Sequence, residues 1–132
     1  MAAYPLTALV TLFALAVTLV LVFNVGRARM KHKVQPPSFD GPPEFLRIHR
    51  AHQNTLESLP LFVPLVWMAA LTLGDLAAAA IGVFWPVGRI LYAAGYYAEA
   101  GKRMPGFLLS LLVLLALWVA TLVSVLWRLI QG

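Results

Sequence analysis

The sequence predicts an all-α membrane protein, a bundle of four transmembrane helices in a single domain spanning residues 1–132. Two observations carry this. Hydrophobic residues make up 61% of the chain and charged residues 11%, whereas a soluble domain carries about 25% charged residues. The apolar residues also fall into four runs, at 4–25, 59–73, 76–97 and 107–130, and a span needs ~20 helical residues.

The first run suffices for a span over about 4–25. It lacks a basic n-region, exceeds the length of a signal h-region and has no small-residue cleavage site after it, so it reads as a span rather than a leader. The stretch from Gly26 to Pro43 reads as a long connection. It carries Arg27, Arg29, Lys31 and Lys33 and then QPPSFDGPP, whose prolines and glycine exclude a continuous helix.

The second run is too short alone. It reaches spanning length if the helix starts near Glu44, just after Pro42-Pro43, and covers about 44–73. Gly74-Asp75 then reads as a tight hairpin. The third helix is expected over about 76–99 and the fourth over about 106–130. Pro60, Pro64 and Pro86 are expected to kink the second and third helices, which neighbouring helices make tolerable in a bilayer. The Ala77–Ala80 run and Gly82 read as close helix packing. The tryptophans at 67, 85, 118 and 127 read as packing or interface anchors.

The chain has no cysteine, which excludes disulfides, thiolate metal sites and a cysteine nucleophile. Any thiol must arrive with a substrate. The net charge is +5, from ten Lys+Arg against five Asp+Glu. Those cations abut the spans and form no soluble module, which argues against nucleic acid and for anionic lipid or an anionic substrate. They gather in the first and third connections. The positive-inside rule therefore puts both on the cytoplasmic side, with the N-terminus, Asp75 and the C-terminus opposite. In a prokaryote the membrane is the bacterial inner membrane. Arg128 is the contrary charge.

A polar stripe interrupts the second helix. At 100° per residue Arg50, Asn54 and Glu57 lie within about 60° of one another, with Arg47 on the flank. Such residues at a bilayer are costly, at roughly 2.5–3.5 kcal/mol for an arginine on insertion scales, so they face protein or a wet pocket. A structural Arg–Glu ladder and a ligand site both satisfy that condition. The third helix offers Arg89, Tyr92, Tyr96 and Glu99 on one face, and Arg103 joins them if the helix persists past Gly101. Interfacial anchoring, the commoner role of such tyrosines, accounts well for Tyr4 and Tyr97 and less well for Tyr92 and Tyr96, which track Arg89 and Arg103 at helical spacing.

Together the stripes offer guanidinium groups for carboxylates, Glu57 for an ammonium, and Gln53 and Asn54 for peptide groups. The complementary ligand has more than one carboxylate, an amine and peptide groups; a small acidic peptide such as glutathione fits that description, although the residues alone do not name it. His52 lies nearly opposite Asn54, and His32 sits in a remote connection, so no metal is expected. A channel or transporter is disfavoured, because the ionisable residues gather at one end and Arg89 is the single midplane candidate.

RAHQNTLE before an apolar run, and GRILYAAGYYAEAGKR at 88–103, resemble the family of membrane-associated proteins in eicosanoid and glutathione metabolism, in particular its type-three microsomal glutathione S-transferases. The GPPEF segment is similar to the leukotriene-forming branch. The resemblance covers most of the chain, from RARMKHKV to Arg103.

It implies a homotrimer with glutathione, as co-substrate, bound between subunits near the cytoplasmic face. By match, Arg50, Asn54 and Glu57 hold the glutathione backbone and termini, with Gln53 as a helper and Arg29 contributing from one side. Tyr92 and Tyr96 bind from the third helix, and Arg103 is catalytic, facing the sulfur. Ser58 stands where the leukotriene branch has a tyrosine, which loses a glutathione contact, and Met30 stands where relatives often carry a second basic residue, which weakens the idea of leukotriene formation. The implied activity is transfer of glutathione to apolar electrophiles, with reduction of lipid hydroperoxides as a further possibility. The alternative within the family is a non-catalytic lipid-binding scaffold.

Overall fold

The computed structural model describes residues 3–132. It is all-helical, with no strand among the described residues. Helix α1 covers Pro5–His32, α2 Pro43–Leu73, α3 Asp75–Gly82, α4 Phe84–Ala98 and α5 Met104–Gln131. Helices α3 and α4 together form the third of four helical segments long and apolar enough to cross a membrane. Pro5, Pro43 and Pro105 each sit in a first turn, where the missing N–H would have had no helical partner.

Helix α1 corrects the reading of the first connection. It does not stop at Val25 but runs on through Arg27, Arg29 and Lys31 to His32. Arginine and lysine are good helix formers, and cations in a last turn face the negative end of the helix dipole. Lys33 ends the helix in the left-handed conformation, φ 55°, and the Val34 N–H bonds back to the Arg29 carbonyl. The connection proper is therefore residues 33–42.

The third span is interrupted in its hydrogen-bond ladder near Pro86, which divides it into α3 and α4. Pro86 has no N–H to give the Gly82 carbonyl, and its ring crowds that turn. The ladder is accordingly interrupted between Gly82 and Phe84, although Val83 keeps right-handed helical dihedrals, φ −59° and ψ −27°, and its N–H still bonds to the Ala79 carbonyl, 2.9 Å. Pro60 and Pro64 leave α2 continuous.

The main core lies in the half of the bundle away from the basic end. There Phe62 of α2 stacks on Trp85 of α4, 4.4 Å between centroids, among Val66, Ala69, Val113 and Leu117, all buried. Close approach of α4 to α5 depends on Gly106. A Cβ there would run into the Tyr92 backbone and the Gly88 carbonyl. Gly88 faces Ser110 in the same way, so α4 and α5 pack almost backbone to backbone. That contact brings Arg89 and Tyr92 against Ser110 and Phe107.

The far end is tied by charge. The Asp75 carboxylate accepts from the backbone N–H groups of Leu6, 2.9 Å, and Thr7, 2.7 Å, so it caps α1 from another helix. Arg128 donates to the Thr72 carbonyl, 2.8 Å, near the end of α2. Large apolar side chains such as Leu9, Leu12, Phe23, Leu112 and Val123 cover the outside. That surface suits hydrocarbon rather than water.

Candidate functional site

Helix α4 ends at Ala98, and this corrects a second expectation. Glu99 is extended and pairs with Lys102, 3.8 Å, outside the helix. Arg103 reaches the stripe not by continuing α4 but through a 3-10 turn, Ala100–Arg103, that folds the chain back. Gly95 makes this possible, because a Cβ there would meet the Lys102 carbonyl. The result is a guanidinium stacked on Tyr96, 5.4 Å from the ring centroid, and donating to the Ala100 carbonyl, 2.6 Å. Arg103 also stands at the start of α5, whose positive dipole end adds to its own charge.

One cavity of about 260 Å³ is lined by Arg50, Asn54, Tyr92, Tyr96, Arg103, Met104 and Phe107. Five of the eight residues expected at the site thus come together from α2, α4 and the turn. Tyr92 and Tyr96 meet edge to face, 5.5 Å between centroids. Glu57 lies one helical turn beyond Asn54, exposed and paired with Arg50 at 3.2 Å, and lines a separate cavity of about 200 Å³ with Asn54, Ser58 and Arg89. Gln53 is exposed and accepts from the same arginine, 3.1 Å. Its face opens on a neighbouring cavity with Phe39, Arg47, His49 and Tyr96.

Arg29 stands apart. Its Nη1 donates to the Ser38 carbonyl, 2.8 Å, and its guanidinium lies over Phe45, 5.3 Å, and Phe39, 5.8 Å. Within one chain it holds the 33–42 connection rather than the cup. Among the described residues there is no group of three or more His, Cys, Asp or Glu that could hold a metal.

Sequence reasoning left Arg89 outside the site. It is 2% exposed and is held by three side chains. Its Nε donates to Thr55 Oγ1, 3.0 Å, Nη1 to Ser110 Oγ, 3.0 Å, and Nη2 to Asn54 Oδ1, 2.6 Å. The guanidinium also lies 4.1 Å over the Tyr92 ring. Ser110, a hydroxyl within the fourth apolar run, and Thr55, on the polar segment of the second helix, were the available signal; both are buried. A polar residue inside a span marks a partner nearby.

A second, larger cavity, about 490 Å³, opens between α1 and α4. Its walls are apolar, from Phe13, Val17, Val20, Ile90 and Ala93, and Asn24 and Tyr97 close one end. Asn24 Nδ2 donates to the Tyr97 hydroxyl, 3.1 Å, and Asn24 Oδ1 accepts from Arg27, 2.8 Å.

A family model described as "MAPEG family" matches residues 7–123. An uncharacterized protein of Synechocystis sp. is 48% identical over 124 residues, covering 94% of this chain and 90% of that protein. Microsomal glutathione S-transferase 2 of Mus musculus is 45% identical over 103 residues, 78% of this chain and 70% of the other. Leukotriene C4 synthase of Cavia porcellus is 38% identical over 99 residues, 75% of this chain and 66% of the other.

Proposed function

The chain belongs to the MAPEG family, and from that premise we propose that it is an integral-membrane glutathione S-transferase that joins the glutathione thiolate to apolar electrophiles. The observation that carries this reading is the convergence of Arg50, Asn54, Tyr92, Tyr96 and Arg103 on one cavity at the basic end of the bundle. Three basic or amide groups and two phenols match a ligand with two carboxylates and peptide carbonyls. Glu57, one turn beyond Asn54, takes the ammonium.

Arg103 stabilises the sulfur anion. A free cysteine thiol titrates near pH ~8.5, and lowering this by about two units needs roughly 2.7 kcal/mol of preference for the anion. One guanidinium in a partly dehydrated cup, with a helix N-terminus behind it, is of that order. Arginine stays protonated, so Arg103 acts as a fixed cation and not as a base. The thiol proton leaves to water. The thiolate pair then forms the S–C bond while the electrophile's leaving atom departs with its own pair. With a lipid hydroperoxide the same thiolate attacks oxygen, the O–O bond breaks, and a second glutathione completes reduction to the alcohol, glutathione disulfide and water.

The same proposal extends to assembly and placement. The chain works as a homotrimer, in which a neighbour closes the cup and Arg29 contributes across the boundary. The site lies on the cytoplasmic side, of the inner membrane in a bacterium, because the basic residues gather there. The apolar cavity between α1 and α4 favours a second reading, a lipid-binding scaffold without chemistry.

Ultraviolet difference absorbance of thiolate, recorded against pH as glutathione is added to detergent-purified protein, separates the two. Thiolate appearing well below the free-solution pKa is expected of the transferase. Binding without thiolate would favour the scaffold, and no binding at all would reject the transferase reading.

A further inference from the structure

A guanidinium buried to 2% exposure with no carboxylate beside it is an expensive choice within a span. The carboxylate one turn from Asn54, Glu57, is paired to Arg50 and exposed. What Arg89 has instead are three oxygen acceptors on α2 and α5 and the Tyr92 ring. Two of those four partners, Asn54 and Tyr92, also line the polar cavity. Arg89 lies behind the wall of the cup and grips that wall.

Asparagine can present either an acceptor or a donor pair to a ligand, and the two differ by a half-turn of the amide. Arginine has donors only. The Asn54 atom 2.6 Å from Arg89 Nη2 is therefore the oxygen, since the flipped amide would set N–H against N–H in a low-dielectric interior. Thr55 and Ser110 hold the guanidinium plane, and the Ser110 hydroxyl proton is committed to the Phe107 carbonyl, 3.0 Å. Its lone pair is thus the part left to accept from Arg89. The Asn54 amide and the Ser110 hydroxyl are thus both turned with an acceptor toward the guanidinium.

We infer that Arg89 is a positioning residue that polarises Asn54, holding its oxygen inward so that its NH₂ is the group offered to the ligand. The cup then demands an acceptor at that point, a carboxylate or a peptide carbonyl, and discriminates against a ligand presenting a donor there. This inference rests on the transferase reading for the identity of the ligand.

Two variants test it on the full-length protein in detergent, with glutathione as the probe. Asn54→Asp keeps an oxygen for Arg89 but has no N–H to offer outward. The expected result is a KM for glutathione raised roughly tenfold or more, the order of one lost hydrogen bond to a charged group, with a melting temperature equal to or above that of the wild type. A merely structural Asn54 would leave KM unchanged in this variant. Arg89→Gln releases the amide. It is expected to raise KM about tenfold while the pH midpoint of thiolate formation, set by Arg103, stays in place. Arg89→Lys, which reaches fewer of the acceptors, falls between. If Arg89→Gln fails to fold, Asn54→Asp decides alone. Wild-type binding with an unchanged KM in Asn54→Asp overturns the positioning role and leaves the transferase reading intact. A wild type that binds no glutathione overturns both.

Discussion

Arg103 stacks on Tyr96 although seven residues and the end of a helix separate them, with the guanidinium 5.4 Å from the ring centroid. The stack fixes a long, flexible side chain over a polar cavity, and the Ala100 carbonyl holds one of its nitrogens. A cation held in this way acts on a sulfur without first being ordered.

Replacing Arg103 by alanine should therefore separate binding from activation. Glutathione still binds through Arg50 and Asn54, but its thiolate appears only at a pH about one to two units higher. The sign follows from the cation: it favours the anion, so the native thiol pKa is depressed and removing the cation raises it. Thiolate absorbance against pH checks this, and an unchanged midpoint removes Arg103 from the role.

Glu57→Gln tests the ammonium contact. The Arg50–Glu57 pair is exposed on both sides, and such pairs contribute little to stability. The melting temperature should stay where it is while the KM for glutathione rises. An analogue lacking the amino group should lose this difference between variant and wild type. A variant that discriminates equally against both ligands would reassign Glu57 to holding Arg50.

Gly106→Ala should damage fold and site together. Its Cβ enters the Tyr92 backbone, and overpacking of this kind costs about 1–3 kcal/mol. Thermal unfolding in detergent should show the loss, with weaker glutathione binding because Tyr92 is displaced. Retention of both would mean that α4 and α5 can part without consequence.

Asp75→Ala should do the opposite. It removes the cap on α1 at the far end, where Leu6 and Thr7 lose their acceptor. The melting temperature should fall, and the pH profile of thiolate formation should not move. A shifted profile would mean that the two ends of the bundle are coupled.

These residues also show what a sequence makes visible. The four spans follow from hydropathy, and Arg50, Asn54 and Glu57 from helical spacing, because both are one-dimensional patterns. The extension of α1 past Gly26 was hidden, since charge reads as a connection although Arg27–Lys31 favour helix as well as any apolar run does. Arg103 reaches Tyr96 by a path that helical spacing does not give. A chain reversal that depends on Gly95 meeting the Lys102 carbonyl is a contact in space, with no period to betray it. Arg89 was seen but left alone, because its acceptors lie on α2 and α5, some 21 to 35 residues away. The interruption of the hydrogen-bond ladder between α3 and α4 could have been expected from Pro86, which has no N–H for the Gly82 carbonyl.

The buried guanidinium has a consequence for how the protein is made. The segment that carries Arg89 is the least apolar of the four spans, so on leaving the ribosome it is the poorest candidate to partition into lipid unaided. Two of its three acceptors, Asn54 and Thr55, belong to the helix synthesised just before it. Ser110 follows later. Two of the three oxygens that satisfy the guanidinium are thus synthesised before it, and the third only after.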